Sequence, residues 1–159
     1  MSAPVMESVS ARTLVDTDFF IRLSRRVAKT TALEQARAEA ITDQALAYLA
    51  TSAAKPKGAP TLYMSADVDP AWHEFMTFTS EYDRFFQRPG WHKVHHAPCD
   101  GWGGATYPAP EAAIPPTVDA IRAAGYEAIP ELWTTKVDCG DTCGDDGGTP
   151  DPLPCGDHG

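Results

Sequence analysis

Apolar positions along the chain fall into blocks with a helical step, separated by clear breakers. Asp16-Thr17-Asp18 offers cap residues ahead of Phe19-Phe20-Ile21, which predicts a helix running to about Ala28. Thr31-Ala32-Leu33-Glu34 has the form of a capping box, in which the threonine oxygen takes the N3 amide and the glutamate reaches back. Behind it Leu33, Ala36, Ala40, Ile41, Ala45, Tyr48 and Leu49 recur at three- and four-residue steps. That spacing predicts an amphipathic helix to about Ala53, with enough alanine to let a neighbouring helix come close. Lys55-Pro56-Lys57-Gly58-Ala59-Pro60 then breaks the chain as a loop.

Asp69-Pro70 opens the next helix with an acidic cap and a proline in the first turn. At about 100° per residue, Trp72, Phe75, Met76, Phe78, Tyr82, Phe85 and Phe86 share about half the circumference, a stripe that reads as core. Arg88-Pro89-Gly90 ends the helix. Residues 97–116 hold five prolines and three glycines, which predicts an irregular but ordered loop pinned by Trp102 and Tyr107. Thr117 caps a short helix over 118–124, with Gly125 as its stop, and Pro130-Glu131-Leu132-Trp133 starts one last turn. No segment alternates as a strand, and no repeat is visible. The expected fold is all-α, a small helical bundle with a long irregular Pro/Gly loop.

The pattern stops near Val137. Residues 139–159 contain six Gly, five Asp and three Pro, and Leu153 is their single sizeable apolar residue. Such a segment cannot offset its ordering entropy by burial and by itself is expected to be flexible. The expected division is an N-terminal extension, 1–15, a helical domain, 16–138, and a Cys/Gly/Asp-rich tail, 139–159.

Charge narrows the function classes. The 159 residues carry 13 Lys and Arg against 22 Asp and Glu, a formal net charge of −9. Nothing there supplies the cationic field that phosphates need, so neither nucleic acid nor an anionic membrane is an expected partner. The first residues, Met1 to Glu7, have no basic n-region, and Arg22 interrupts the longest early apolar stretch. Neither a signal peptide nor a membrane span is expected, which points to the cytoplasm and to thiols rather than disulfides at Cys99, Cys139, Cys143 and Cys155.

Two clusters carry ligand chemistry. His92, His95 and His96 lie within five residues, and His73 falls on the helical wheel outside the apolar arc, with Thr77, Ser80 and Arg84. Neutral imidazole binds zinc, copper, nickel or iron. Adjacent His95 and His96 diverge on regular structure and do not readily serve one site. One reading has some of these rings joining His73 around an ion, with Asp69 as a cap or as the acceptor that orients a histidine. The other has them hydrogen-bonded to loop carbonyls and carboxylates at the bundle's edge. The second cluster is Cys139, Cys143, Cys155 and His158, three thiolates and an imidazole whose spacing can close around one zinc ion. Metal would also supply the folding energy that the tail lacks.

Other chemistry finds little support. His73-Glu74 lacks the second histidine of a zincin helix, since Thr77 stands there, and Gly101-Trp102-Gly103-Gly104 lacks the lysine and helix of a phosphate loop. No catalytic motif is recognised.

Val68-Asp69-Pro70-Ala71-Trp72-His73-Glu74-Phe75, followed by Thr79, Tyr82, Phe85 and His95-His96-Ala97-Pro98, resembles the bacterial, often actinobacterial, glycine-rich domain-containing protein-like family. The likeness extends over roughly 18–135, including Ile121 to Tyr126 and Pro130 to Trp133. It implies a compact helical fold, marks Asp69, Trp72, His73, His95 and His96 as signature positions, and implies a C-terminus rich in Cys and His. It implies no particular activity.

Three functional readings follow. The first is a metal-binding or metal-responsive protein, zinc before other ions, using the histidines of the body and the thiols of the tail. The second is a folded recognition or leader domain that presents its tail to a modifying enzyme or protein partner. The third, an enzyme with His73 as general base, would need a pocket and an orienting carboxylate that the sequence does not display.

Overall fold

The computed structural model describes residues 8–97, 108–135 and 144–145. Among them are five α-helices: α1 (Thr17–Thr31), α2 (Gln35–Ala54), α3 (Asp69–Thr77), α4 (Thr79–Phe85) and α5 (Pro110–Ala123). Short 3₁₀ turns lie at Ala11–Leu14 and Pro130–Leu132. Extended pairing is confined, among the described residues, to a two-residue ribbon and one isolated bridge, so the fold is all-α as expected. No helix among the described residues is long and apolar enough to cross a membrane.

The centre of the molecule is α2. Every residue from Ile41 to Ala53 is buried, so this half of the helix has no solvent face. The expected amphipathic helix is amphipathic only in its first turns, and Leu33, expected on its apolar face, lies outside it and 39% exposed. Helices α1, α3 and α5 all pack on α2. Phe19, Phe20, Leu23 and Val27 of α1 meet it at three- and four-residue spacing, and the alanines at 38, 45, 47, 50 and 53 leave room for that approach. The rings of Trp72 and Trp133 close on Tyr48, with centroids 5.4 and 6.4 Å away.

Four local expectations change in the structure. Thr31 ends α1 instead of starting α2: its hydroxyl donates to Val27 O at 2.6 Å, and Ala32 turns the chain with a left-handed φ of 56°. The long aromatic helix is two helices. Thr77 donates its hydroxyl to Glu74 O at 2.7 Å, and the Phe78 amide retreats to Phe75 O, which tightens and ends α3. α5 begins at Pro110, well before the expected start. Pro115 and Pro116 are tolerated because the amides they lack would have reached Glu111 and Ala112, and all four residues are exposed, where water serves the carbonyls. Thr117 is consequently inside the helix, where its hydroxyl accepts the Tyr63 amide at 2.9 Å. The stop is as expected: Gly125 adopts φ 88°, with Tyr126 N–H on Ile121 O and Gly125 N–H on Arg122 O, the Schellman arrangement. The loop positions Trp102 and Tyr107 lie outside the described residues.

The segment before residue 16 is built into the domain from Val9 onward. Val9 exchanges backbone hydrogen bonds with Gly125 and Glu127, Ala11 is fully buried, and Ser10 Oγ and Arg12 N–H both donate to Asp43 Oδ1, at 2.5 and 2.9 Å. Gln44, next on α2 and fully buried, ties down the other end of the chain. Its Nε2 donates to Glu127 O at 3.0 Å, and its Oε1 accepts from Ile129 N–H at 2.9 Å and Trp133 Nε1 at 2.7 Å.

Replacing Gln44 by leucine keeps the bulk and leaves the buried Trp133 Nε1 and the half-buried backbone groups of Glu127 and Ile129 without their present partner. Each such group costs about 1–3 kcal/mol. We expect Gln44→Leu to lower unfolding stability by about 3 kcal/mol in urea titration, with loss of the Trp133 near-UV signal.

Candidate metal centre

Helix α3 begins in a turn that is already hydrogen-bonded. Ser65 O accepts the amides of Val68 and Asp69, and Ser65 Oγ donates to Leu132 O at 2.5 Å. Asp69 is the first residue of the helix and makes no side-chain cap bond, contrary to the expected acidic cap. Its carboxylate is free to face along the helix instead. One turn on, at the i,i+4 position, is His73, whose Nδ1 lies 3.3 Å from Asp69 Oδ2.

The third member arrives from far along the chain, on strand β1 (His96–Ala97). A buried relay brings it in. Trp72 Nε1 donates to Tyr82 Oη at 2.9 Å, and Tyr82 Oη donates to Val94 O at 2.7 Å. Further back, His92 N–H donates to Ala53 O at the end of α2. With Val94 held, the His96 ring packs on Trp72 and on His73, both centroids 4.7 Å away.

The result is a group of three potential donors, Asp69, His73 and His96, whose ligand atoms lie within 4.8 Å of one another. His73 Nε2 and His96 Nε2 are 2.8 Å apart, and Asp69 Oδ1 is 3.8 Å from His96 Nε2. The short Nε2–Nε2 contact is a hydrogen bond in which one ring donates and the other accepts, the tautomers deciding which. Burial is graded across the group: the side chains of Asp69, His96 and His73 are 7%, 14% and 50% exposed. Asp69 Oδ1 is buried and accepts no hydrogen bond from the described residues.

Such a group could hold a metal ion. Zinc-bound imidazole nitrogens stand about 2.0–2.1 Å from the ion, hence about 3.3 Å apart in a tetrahedron. The ring nitrogens would open by about half an ångström, a small side-chain rotation, and the ion would take the place of the hydrogen between them. Asp69 could contribute Oδ1 while Oδ2 keeps its contact with His73 Nδ1. No family model, curated protein or solved structure matches the chain. The chemistry of this group therefore rests on its geometry.

The other candidate residues are placed differently. His92 is half-buried, its Nε2 has no partner among the described residues, and it is not part of the group. His95 is exposed, lines a shallow cleft with Met76, Thr79, Asp83, Lys93 and His96, and is not part of the group. The divergence of adjacent side chains on extended backbone accounts for the split. Cys139, Cys143, Cys155 and His158 lie outside the described residues. Sequence reasoning counted Tyr82 as core and overlooked its hydroxyl, which acts as the hinge of the relay. A buried Tyr hydroxyl always needs partners, which is the signal that was there to use.

Tyr82→Phe removes the relay and leaves Trp72 Nε1 and Val94 O buried without their present partner. We expect a stability loss of about 2 kcal/mol. His96 should become mobile, read as broadening or doubling of its imidazole NMR signals while those of His92 are unchanged.

Proposed function

We propose that the protein binds a divalent first-row transition metal, with zinc as the resident ion, through Asp69, His73 and His96. One observation carries the reading: a carboxylate oxygen, Asp69 Oδ1, is buried beside two imidazole rings and receives no hydrogen bond from the described residues. Elsewhere the buried charged and amide side chains are engaged, as at Asp43 and Gln44. Leaving one carboxylate oxygen bare costs free energy, which an ion would recover.

The donor set supports the choice of metal. Two imidazoles and one carboxylate suit zinc, or ferrous iron with open positions, better than the hard calcium and magnesium ions or cuprous copper. Asp69 serves twice in this reading, holding the His73 ring through Oδ2 and offering Oδ1 to the ion. Cys139, Cys143, Cys155 and His158 supply a second and softer donor set in the tail, proposed from its spacing alone.

The test separates the two sets. In a full-length protein with Cys139, Cys143 and Cys155 changed to serine, chelator-treated and then titrated against a chromophoric zinc competitor, we expect one equivalent of zinc to bind. His73→Ala and His96→Ala should each lower the affinity roughly 100-fold or more, given that even partners outside the coordination sphere are worth about 10–100-fold. Circular dichroism should show both variants folded. A folded protein that takes up no zinc, or binds it equally well without both histidines, refutes the proposal.

A further inference from the structure

The candidate metal centre borders a cleft of about 330 Å³, bounded by α3, α4 and residues 93–96. Sites that hold small molecules run from about 300 to 1,000 Å³, so this one suits a small ligand. Its lining is divided by depth: Tyr82 and Val94 are buried and Met76 half-buried, whereas Thr79, Lys93 and His95 are exposed. That makes an apolar floor with a polar rim. Two residues tie the cleft to the donors. His96 belongs both to the group and to the cleft wall, and Met76 stands three residues beyond His73, on the same side of α3.

We infer that this cleft receives a short-chain aliphatic monocarboxylate, whose head group is the fourth donor to the ion held by Asp69, His73 and His96. The inference rests on the proposed metal site. Three protein donors leave a zinc ion one short of four, the arrangement of sites that keep a position for an exchangeable ligand. Two neutral imidazoles and one carboxylate also leave a divalent ion with one positive charge in excess, which a single anionic group balances. The other acidic side chains of α3 and α4 are already engaged. Glu74 is bonded to Arg26 at 2.7 Å, Glu81 to Arg84 at 2.9 Å and Asp83 to Lys93 at 2.5 Å. The last of these pairs also cancels the charge of the rim, so the attraction for an anion comes from the ion itself. Past the head group, the ligand meets Met76, Tyr82 and Val94, which favour an alkyl chain over a second charge.

The experiment uses the full-length chain with Cys139, Cys143 and Cys155 changed to serine, loaded with cobalt(II) in place of zinc because its visible absorption responds to its ligands. Acetate, propionate and butyrate are titrated in turn at constant ionic strength. Each should shift the cobalt spectrum to saturation at one equivalent, and affinity should rise roughly threefold with each added methylene. Met76→Gln, which makes the floor polar, should remove most of that gain, with circular dichroism confirming the fold. A cobalt spectrum that none of the three anions changes overturns the inference and leaves the three-residue site standing. So does a response in which acetate and butyrate bind alike, or a chain-length gain that survives Met76→Gln. A folded protein that takes up no cobalt, or takes it up equally well as His73→Ala and His96→Ala, shows instead that the metal site has failed, and the carboxylate subsite with it.

Discussion

A helix with no solvent face must be enclosed on every side, and residues 41–53 of α2 impose that requirement on the whole molecule. The burial has two consequences. Its apolar side chains and alanines set how close α1, α3 and α5 can come. Its polar side chains, with no water to turn to, must find partners in the protein. Thr42 and Thr51 return their hydroxyls to the carbonyls four residues back, at 2.7 and 2.8 Å. Asp43 and Gln44 reach outward instead. They convert the cost of buried polar groups into ties that fasten residues 10–12 on one side and 127–133 on the other.

The same logic isolates the candidate metal centre. At the rim of the core, the Trp72 indole and the Tyr82 hydroxyl are satisfied by each other and by the Val94 carbonyl. That chain of bonds positions the backbone leading to His96. Asp69 is treated differently: one oxygen meets His73 and the other meets no donor among the described residues. Ser52 Oγ and His92 Nε2 also have no partner among the described residues, but neither is a carboxylate oxygen, and the cost of a bare carboxylate is the larger. A divalent ion is the simplest group that would satisfy that oxygen and both ring nitrogens at once.

Local signals and tertiary demands can be separated residue by residue. Gly125 was legible because a helix stop with left-handed φ favours glycine whatever surrounds it. The aromatic stripe from Trp72 to Phe86 was legible as core, yet its break at Phe78 was not, since it turns on whether the Thr77 hydroxyl competes for Glu74 O. Thr31 and Thr117 show the same limit. A threonine before a helical block suits a cap, but its hydroxyl served the preceding helix in one case and the Tyr63 amide in the other. For the site, the i,i+4 relation of Asp69 and His73 follows from helix geometry once α3 is recognised. Nothing local distinguishes His96 from His92 or His95.

By itself the sequence determined that the chain is helical, where its apolar faces lie, and that imidazoles and carboxylates are concentrated in a few short stretches. These follow from period, capping chemistry and composition, which act over a few residues. Which histidine meets Asp69 and His73, and which segment pairs with β1, were decided only by tertiary structure. The loop carrying His96 is placed by bonds to Tyr82 and Ala53, 14 and 43 positions before His96 in the chain. Contacts closed over such distances depend on the packing of the whole core and leave no periodic trace in the residues that make them.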